Sequence, residues 1–443
     1  QRMQLEEYNR AMHKLAYTDE VTAGYNRRRF EQIAEDAIAS FPAGTFVLVW
    51  MNLQKFKLIN ETEGVEAGDN TLKYIYQQIV NNLKQDEYAA RLFSDNFIIL
   101  LKEESNARIE GRLQEIAASI NAFNTHREYK YYLTFTAGVY HIYDTALSIT
   151  SMEDRAHTAR KSGQSYSSGL CFCNFYTNEI QKKLQQEKDI ENTMRESLQR
   201  QEFEVYLQPK YSLRDKQIYG AEALIRWHHP VLGFLSPMEF IPLFERNGFI
   251  VNLDLFVFEQ VCRLLKQWKA AHKRLFPISV NMSRVHLMKP DFLDDYIAII
   301  NRYQIPASLL EIELTETMVF ENPKAFHSII QKIHEAGFTC SMDDFGSGYS
   351  SLNMLKDLEL DTVKLDGAFF SSRGMDNPKE NIVVKSMLDL TKKLDMATVA
   401  EGIETDKQMD FLRLTSCDLV QGYVISKPVP VREFEMLVSS QKI

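Results

Sequence analysis

Long hydrophobic runs are missing from this sequence: no stretch of about 18 consecutive apolar residues occurs in its 443 residues. Their absence predicts that no helix in this stretch spans a membrane. Cysteine is also sparse. The five residues are Cys171, Cys173, Cys262, Cys340 and Cys417, an odd number that gives no disulfide framework. We therefore expect reduced thiols and a cytoplasmic location, or the cytoplasmic part of a membrane-anchored protein.

Positive charge is in deficit as well. The chain has 51 Lys and Arg against 60 Asp and Glu, which gives a formal net charge of -9. A surface of this charge repels phosphates, and this argues against a nucleic-acid polymer as partner. An acidic protein still binds an anionic substrate when cations sit between its carboxylates and the phosphate.

The start of the chain has no methionine and no visible signal peptide. We expect that a sensor region precedes Gln1 in a longer protein. Residues 1–15 have a helix-forming composition, with apolar residues near helical spacing. They fit either the end of a signalling helix or the first helix of the domain that follows.

The length of the chain predicts two domains. Residues 1–176 mix helical and strand-like segments, as in an α/β domain with a mixed sheet. Residues 177–200 contain neither Gly nor Pro and are rich in charged residues and Gln, which predicts a solvated helical linker. In residues 201–443, short apolar runs alternate about eight times with helical stretches. This rhythm predicts a mostly parallel sheet closed into a modified TIM-like (β/α)8 barrel.

Most of the apolar runs in residues 201–443 end in a polar or charged residue. These residues are Gln208, Glu222, Asn281, Glu313, Asp343, Asp344, Lys364, Glu401 and Gln421. The carboxyl ends of parallel barrel strands open on one face, so we expect the side chains to converge in one mouth. For any single residue, a solvated charge at a strand end is a sufficient explanation. The same phase on consecutive strands is hard to explain in that way.

The donor atoms of this set indicate a hard metal. Five carboxylates and one amide oxygen suit Mg²⁺ or Mn²⁺, and the carboxylates would repel one another without cations. Adjacent Asp343 and Asp344 cannot both point the same way from a regular strand. At a strand-to-loop junction they can serve two ions, and two ions about 3.5 to 4 Å apart would clamp a phosphodiester.

One long segment of the sequence resembles the signature of a known enzyme family, and this resemblance supports the metal-site interpretation. AEALIRWHHPVLGFLSPMEFIPLFERNGFI, which begins at Ala221, resembles the signature of EAL-family cyclic di-GMP phosphodiesterases. VNMS, ELTE, DDFGSGYSSL, VKLD, VAEGIET and QGYVISKPVP follow in the family's order, so the match covers roughly residues 196–440. The triplet Asp344–Gly346 also occurs in protein kinases, but no glycine-rich phosphate loop accompanies it here.

The resemblance implies two divalent cations, Mg²⁺ or Mn²⁺. It assigns the first to Glu222, Asn281, Glu313 and Asp343, and the second to Asp343, Asp344 and Glu401. It makes Lys364, Glu401 and Glu222 the catalytic residues, with Lys364 positioning and helping to activate the attacking water. The implied reaction opens cyclic di-GMP to linear pGpG.

The resemblance also assigns supporting roles. Substrate contacts fall to Gln208, Leu224, Arg226 and Gln421. Glu316 and Glu404 become anchors behind the metal ligands, with Glu316 fixing the loop before Asp343 and Asp344. Gly346 and Gly348 give the adjoining loop its backbone freedom. The family often pairs near the loop after Glu313, so a homodimer is expected.

The N-terminal half resembles a GGDEF diguanylate cyclase domain that has lost its chemistry. LAYTDEVTAGYNRRRFE and FKLINETEGVEAGDNTL carry the likeness, which covers roughly residues 10–176. The name-giving motif reads Phe93-Ser94-Asp95-Asn96-Phe97, so Phe93 replaces a glycine and Asn96 a carboxylate. Asn52 and Gln54 stand at the acidic positions of the metal-binding strand. Without those carboxylates Mg²⁺ cannot be held against a triphosphate, and we expect no cyclase activity.

Two roles remain for this first domain. Asn60 and Asp69 still occupy positions that contact guanine in the family, which allows GTP binding as a regulator. Phe93 should crowd the phosphate site, and this favours a structural and dimerising module. For the whole chain, the alternatives to an enzyme are a non-catalytic cyclic di-GMP receptor and a GTP-sensing scaffold. Receptors of this family usually lose metal ligands or the lysine, and this chain keeps them.

Overall fold

The computed structural model describes residues 16–103, 105–126, 131–163, 169–316, 318, 323–346, 355, 358–370 and 378–440. The chain divides into two compact units, Gln1–Gln186 and Glu187–Ile443. The expectations for residues 1–15 and for Gly348 lie outside the described residues. So do residues 317 and 319–322 of the loop after Glu313, near which the dimer contact was expected. Among the described helices, none is both long and apolar enough to cross a membrane.

The first unit is built on a five-stranded sheet. Its strands are β1 (Phe46–Leu53), β2 (Tyr88–Phe93), β3 (Asn96–Lys102), β4 (Phe135–His141) and β5 (Cys171–Phe175). The spatial order is β2-β3-β1-β4-β5, with β1 antiparallel to β3 and β4, and β4 parallel to β5. The central strand β1 therefore has a neighbour on each side. Its sequence is an almost unbroken apolar run, as expected for a strand buried on both faces.

Helices cover both faces of this sheet. They are α1 (Arg27–Ser40), α2 (Phe56–Glu63), α3 (Val65–Asn81), α4 (Asn106–Asn121) and α5 (Ile149–Ser162). Side chains alternate along β1: Val47 and Val49 pack with residues of α2, α3 and α4, whereas Leu48 and Trp50 pack with residues of α1 and α5. The unit thus has two hydrophobic layers, one on each face of the sheet.

A buried acid lies between α1 and α5. The Glu153 side chain is fully buried, and the Arg27 guanidinium donates to its Oε2 at 2.6 Å. Its Oε1 has no hydrogen-bond partner among the described residues. Burial raises the pKa of Glu153 to about 7, although Arg27 opposes this shift.

Glu153→Gln is expected to flatten the pH dependence of unfolding. Because the pKa is higher in the folded unit than its ordinary value of 4.5, the folded state binds more protons between these two pH values. The free energy of unfolding therefore falls as pH rises through this window, by up to about 3 kcal/mol. Urea denaturation at pH 5, 6, 7 and 8 measures the slope. Glu31→Gln, which removes the other acid paired with Arg27, is the control. Equal slopes in the wild type and Glu153→Gln would contradict the assignment.

The charged segment that follows forms one helix, α6 (Asn178–Gln199). Its C-terminal half is not solvated: Ile190 and Met194, one turn apart, are buried in the core of the second unit. Asn247 also donates to Glu191 at 3.2 Å. The expectation of a wholly solvated linker is therefore wrong for this half. The boundaries at 176 and 200 stay predictions.

The second unit is a closed barrel of eight strands. They are β6 (Phe203–Ser212), β7 (Gln217–His229), β9 (Ile278–Asn281), β10 (Leu310–Thr315), β11 (Thr339–Phe345), β12 (Thr362–Leu365), β13 (Ala397–Ala400) and β14 (Leu419–Val420). The ring closes because β6 pairs with both β7 and β14. β6 is antiparallel to these two neighbours, whereas the other neighbouring pairs of the ring are parallel. The predicted α/β fold class and modified TIM-like barrel are confirmed.

Short edge strands and an outer layer of helices complete the unit. The edge strands are β8 (Gly233–Leu235) and β15 (Val429–Pro430). The helices are α7 (Pro237–Asn247), α8 (Ile250–Ala270), α9 (Asp294–Tyr303), α10 (Pro323–Glu335), α11 (Pro378–Lys393), α12 (Asp406–Leu412) and α13 (Val431–Ser440). On β6, β7 and α7, a buried aromatic cluster of Phe203, Trp227, Phe240 and Phe244 joins the first hairpin to its helix, and its stacked pair Phe203–Trp227 has ring centroids 4.5 Å apart. This packing holds the β6–β7 hairpin, which carries several of the site residues.

Candidate active site

Strand register brings the predicted side chains to one end of the barrel. Gln208 of β6 lies opposite Glu222 of β7. Glu313 of β10 aligns with Asn281 at the end of β9. Thr315, two residues further along β10, aligns with Asp343 of β11. Lys364 lies on β12, while Glu401 and Gln421 directly follow β13 and β14. The predicted convergence on one mouth is therefore present, although Gln208 and Glu222 lie within their strands and β6 runs antiparallel to its neighbours.

Glu222 is held by three side chains from three other strands or strand ends. Glu222 is 5% exposed. Asn281 donates to Oε1 at 2.9 Å, and Gln421 donates to Oε2 at 2.5 Å. Lys364 approaches the same Oε2 at 3.4 Å. Burial is the main cause of the raised pKa of Glu222, and Glu313 adds to it.

Lys364 is the centre of the cluster. Its ammonium lies 2.8 Å from Glu313, 2.9 Å from Asp343 and 2.8 Å from Glu401, besides its contact with Glu222. Burial alone would lower the pKa of Lys364, but the four surrounding carboxylates raise it above its ordinary value. The side chain is 1% exposed and stays charged. One buried cation therefore links carboxylates from four strands.

The pKa values of two of these carboxylates move in opposite directions. Burial raises the pKa of Glu401 to about 8, although Lys364 opposes this change. Burial alone would also raise the pKa of Glu313, but Lys364 and Lys210 lower it to about 2. Glu313 differs because two ammonium groups contact it rather than one.

A β-bulge places Asp343 and Asp344 side by side. The register between β11 and β12 shifts between Met342 and Phe345, so the two aspartates occupy the irregularity. Asp344 has a φ of 56°, in the left-handed region, and its N–H donates to Oδ1 of Asp343 at 3.0 Å. The strand continues to Phe345. The expected strand-to-loop junction is thus a bulge within the strand, which breaks the alternation of side chains.

The carboxylates form two groups that share Asp343. In the first, oxygens of Glu222, Glu313 and Asp343 lie within 4.8 Å of one another, and in the second those of Asp343, Asp344 and Glu401 do. These are the carboxylates that the resemblance assigns to the two ions, and Asn281 contacts the first group through Glu222. Hard oxygen donors at this spacing fit Mg²⁺ or Mn²⁺.

Of the predicted substrate-contact residues, Gln208 and Gln421 lie beside Glu222, and Leu224 and Arg226 follow Glu222 along β7. Glu222, Leu224 and Arg226 alternate along β7 and share one face of the strand. Gln421 donates to Gln208 at 3.1 Å, and Gln208 donates to the carbonyl of Ser426 at 3.3 Å. The half-buried Arg226 guanidinium lies 5.6 Å from the Tyr206 ring centroid.

Glu316, one of the two predicted anchors, contacts the backbone beyond Asp344. Glu316 is buried and accepts a hydrogen bond from the Gly346 N–H at 2.7 Å. This bond fixes the backbone at Gly346, two residues after Asp344, whereas the expected contact was with the loop before Asp343. Gly346 has a φ of 94°, and a Cβ there would meet the Phe369 ring at 2.1 Å. Glycine is required at this position on both grounds.

Glu404 is exposed, and its backbone N–H donates to Gln408 at 2.8 Å. Gln408 also accepts from Thr405 N–H at 2.8 Å and forms the capping box that begins α12. Gln408, which sequence reasoning missed, holds the segment after Glu401. A Thr-x-x-Gln signal was present at 405–408. The anchoring role of the Glu404 side chain stays a prediction.

Sequence reasoning also missed Lys210. It is 2% exposed and lies inside the barrel on β6, two residues from Gln208. Its ammonium contacts Glu313 at 3.0 Å and Glu311 at 3.3 Å. Its spacing could have revealed it: Lys210 lies two residues after Gln208, so the two side chains share one face of the strand.

In the first unit, amide groups occupy the positions where acids were expected in a cyclase. Asn96 Oδ1 accepts from Trp50 Nε1 at 2.9 Å and from Asn52 Nδ2 at 3.2 Å. His157 stacks on Trp50, with ring centroids 4.4 Å apart. Phe93 is 54% exposed and makes an edge contact with Trp50. Among the described residues, the groups of acidic, His or Cys side chains with metal-ligand spacing all lie in the barrel.

Family comparison matches both units. The EAL domain family matches residues 191–428, more than half of the chain. The chain belongs to the EAL family. Diguanylate cyclase, GGDEF domain, matches residues 16–165, so this EAL protein carries a GGDEF domain in tandem. The recognition of the two families from sequence motifs is confirmed.

Named relatives match most of this chain. The cyclic di-GMP phosphodiesterase NbdA of Pseudomonas aeruginosa is 30% identical over 98% of this EAL protein and 55% of the relative. The bifunctional diguanylate cyclase/cyclic di-GMP phosphodiesterase MucR of the same species is 27% identical over 96% of this chain and 62% of MucR. The chain thus spans little more than half the length of these relatives.

Two solved structures also resemble this chain. A PaMucR phosphodiesterase in complex with c-di-GMP is 30% identical, with a TM-score of 0.53, and covers 56% of this chain and 99% of that one. The Vibrio cholerae LapD S helix-GGDEF-EAL structure is 19% identical, with a TM-score of 0.54, and covers 96% of this chain and all of that one. The second likeness concerns the fold alone.

Proposed function

We propose that the barrel hydrolyses one phosphodiester of cyclic di-GMP and releases linear pGpG, with the help of two divalent cations. The observation that carries this proposal is the pair of carboxylate groups sharing Asp343 in one barrel mouth. The named phosphodiesterase relatives and the likeness to a phosphodiesterase bound to c-di-GMP support it. A non-catalytic receptor has no need for two such groups arranged around a buried lysine.

In this proposal, Glu222, Asn281, Glu313 and Asp343 hold one ion, and Asp343, Asp344 and Glu401 hold the other. Bound Mg²⁺ or Mn²⁺ supplies Lewis acidity, lowers the pKa of water and neutralises phosphate charge. The bulge matters because it lets two adjacent carboxylates face the same mouth. Gln421 and Asn281 orient Glu222 through its two oxygens.

The other residues bind and orient the substrate. Lys364, whose Nζ lies among the four carboxylates, would position the attacking water and help to activate it. Arg226 and Gln208 contact the phosphate and the sugar backbone, since a guanidinium and an amide supply the donors that phosphate oxygens accept. Leu224 and Gln421 shape the nucleotide pocket.

Hydrolysis in water enriched in ¹⁸O tests the reaction type. Attack by water places one ¹⁸O atom in the phosphate of pGpG, which mass spectrometry detects. Incorporation in the wild type and its absence without added metal are the expected results. Release of unlabelled pGpG would contradict hydrolysis by water.

For the first unit, we propose a structural and dimerising role without cyclase activity. Asn96 accepts hydrogen bonds from Asn52 and from Trp50, and the two asparagine amides offer no negative charge to Mg²⁺. GTP binding as a regulatory input is the second candidate, because the Asn60 amide oxygen is buried and has no hydrogen-bond partner among the described residues. The homodimer, the cytoplasmic location and a preceding sensor region stay predictions.

Incubation with GTP and Mg²⁺ is expected to give no cyclic di-GMP. The Glu222→Ala variant is the right background, because a product would then accumulate instead of being hydrolysed. Liquid chromatography measures both nucleotides, and equilibrium dialysis of labelled GTP on the same sample measures binding. Cyclic di-GMP formation above the no-enzyme control would overturn the proposal for this unit.

A further inference from the structure

The interior of the barrel holds a second buried lysine beneath the carboxylate mouth. Lys210 pairs with Gly220 across the hairpin, whereas Gln208 pairs with Glu222, so Lys210 lies one layer deeper. Its side chain is 3% exposed. Burying an ammonium is costly unless carboxylates surround it. Here Glu311 and Glu313, alternate residues of β10, supply two of them.

The two lysines contact different oxygens of one carboxylate. Lys210 Nζ lies 3.0 Å from Oε1 of Glu313, and Lys364 Nζ lies 2.8 Å from Oε2. Glu313 is 1% exposed, so its orientation depends on these contacts. Lys210 contacts Oε1 from the deeper layer of the barrel, and Lys364 contacts Oε2 from among the carboxylates of the mouth. The two contacts therefore fix the orientation of the Glu313 carboxylate.

Lys210 differs from Lys364 in its other contacts. Lys364 reaches Glu222, Asp343 and Glu401, all at the mouth. The second partner of Lys210 is Glu311, at 3.3 Å in the deeper layer. Burial alone would lower the pKa of Lys210, but Glu311 and Glu313 raise it, so the ammonium stays charged. Lys210 therefore acts on the mouth through Glu313.

We propose that Lys210 is a positioning residue: its ammonium anchors Oε1 of Glu313 from below, so that Oε2 faces the other carboxylates of the mouth. The inference rests on the proposed function, in which Glu313 is a metal ligand. Partners that orient a ligand in this way typically change metal affinity by about 10- to 100-fold when they are removed.

If Lys210 only balanced charge, its removal would have the opposite effect on metal affinity. Removing a nearby positive charge weakens the repulsion of a metal cation and would tighten its binding. Removing an anchor frees Glu313 to turn away and weakens binding. The sign of the change in metal affinity therefore separates the two roles.

The test compares Lys210→Met with the wild type at one pH. Calorimetric titration with Mn²⁺ alone is expected to give a Kd raised by about 10-fold or more. With cyclic di-GMP as substrate and Mn²⁺ well below both Kd values, kcat is expected to fall by about as much, whereas KM stays within about threefold, because Lys210 does not touch the nucleotide. An unchanged or lower Kd for Mn²⁺ would overturn the inference.

Two controls keep the result interpretable. Lys216→Met removes an exposed lysine from the same hairpin and should leave the Mn²⁺ Kd unchanged. Glu311→Gln removes the other partner of Lys210 and should change this Kd by less than about threefold. If Lys210→Met does not fold, the double variant Lys210→Met/Glu311→Gln is measured instead, because it leaves no unpaired Glu311. Its expected Kd is the same.

The outcomes separate this inference from the proposed function on which it rests. A wild type that binds no Mn²⁺ would overturn both, whereas equal Kd values in the wild type and Lys210→Met would overturn the role of Lys210 alone.

Discussion

Glu222→Ala is expected to lower the rate of cyclic di-GMP hydrolysis by about 1,000-fold or more. That loss corresponds to a barrier increase of about 4 kcal/mol, the scale of metal-assisted charge stabilisation. The variant removes one carboxylate from the first group and deprives the amide of Asn281 and the buried amide of Gln421 of this acceptor. Steady-state kinetics at saturating Mg²⁺ measures the effect.

The isosteric Glu222→Gln variant separates charge from packing. It keeps the volume of the side chain but removes its negative charge, so we expect a loss of comparable size. Glu204→Ala on β6 is the matched control, since this acid is exposed and pairs only weakly with His228. It should retain the wild-type rate. Near-wild-type turnover in Glu222→Ala would contradict the assignment of the site.

Lys364→Met is expected to abolish turnover and also to destabilise the barrel. Its ammonium contacts four carboxylates, and removing it leaves Glu222 and Glu313 buried without their shared cation. Breaking a buried ion pair by removing one partner costs about 3 to 5 kcal/mol. Urea denaturation in the presence of EDTA measures the free energy of unfolding.

Lys289→Met provides the comparison for stability. Lys289 is exposed, and its removal should change the free energy of unfolding by less than about 0.5 kcal/mol. A Lys364→Met variant as stable as Lys289→Met would mean that the buried carboxylates do not depend on this lysine. Retained turnover in Lys364→Met would independently contradict its role in positioning water.

The convergence of the site was predictable because it follows from two regular features. Parallel barrel strands share the direction of their carboxyl ends, so Glu313, Lys364 and Glu401 fall together once the alternation of strands and helices is recognised. The residue types then predict a hard divalent cation, since carboxylate oxygens suit Mg²⁺ or Mn²⁺. The family motifs added the order of the strands and the roles.

The remaining features depend on local tertiary geometry. The bulge at Asp343 and Asp344 arises from a register shift that no periodicity reveals. Lys210 escaped notice because a lysine in an apolar strand pattern is normally exposed, and its partner Glu311 lies about 100 residues away in sequence. Helix α6 looked solvated because its apolar face is narrow: Ile190 and Met194 are buried in the core of the second unit, and Leu198 packs against this core. These features need the packed barrel to become visible.

Incubation of the chain with cyclic di-GMP, with Mg²⁺ or Mn²⁺ and with an EDTA control, tests the central claim most directly. Chromatography follows pGpG, and calorimetry on the same preparation measures binding of cyclic di-GMP. We predict pGpG formation that requires metal and stops on addition of EDTA. Tight binding of cyclic di-GMP with no pGpG in either metal would contradict the account and identify a receptor instead.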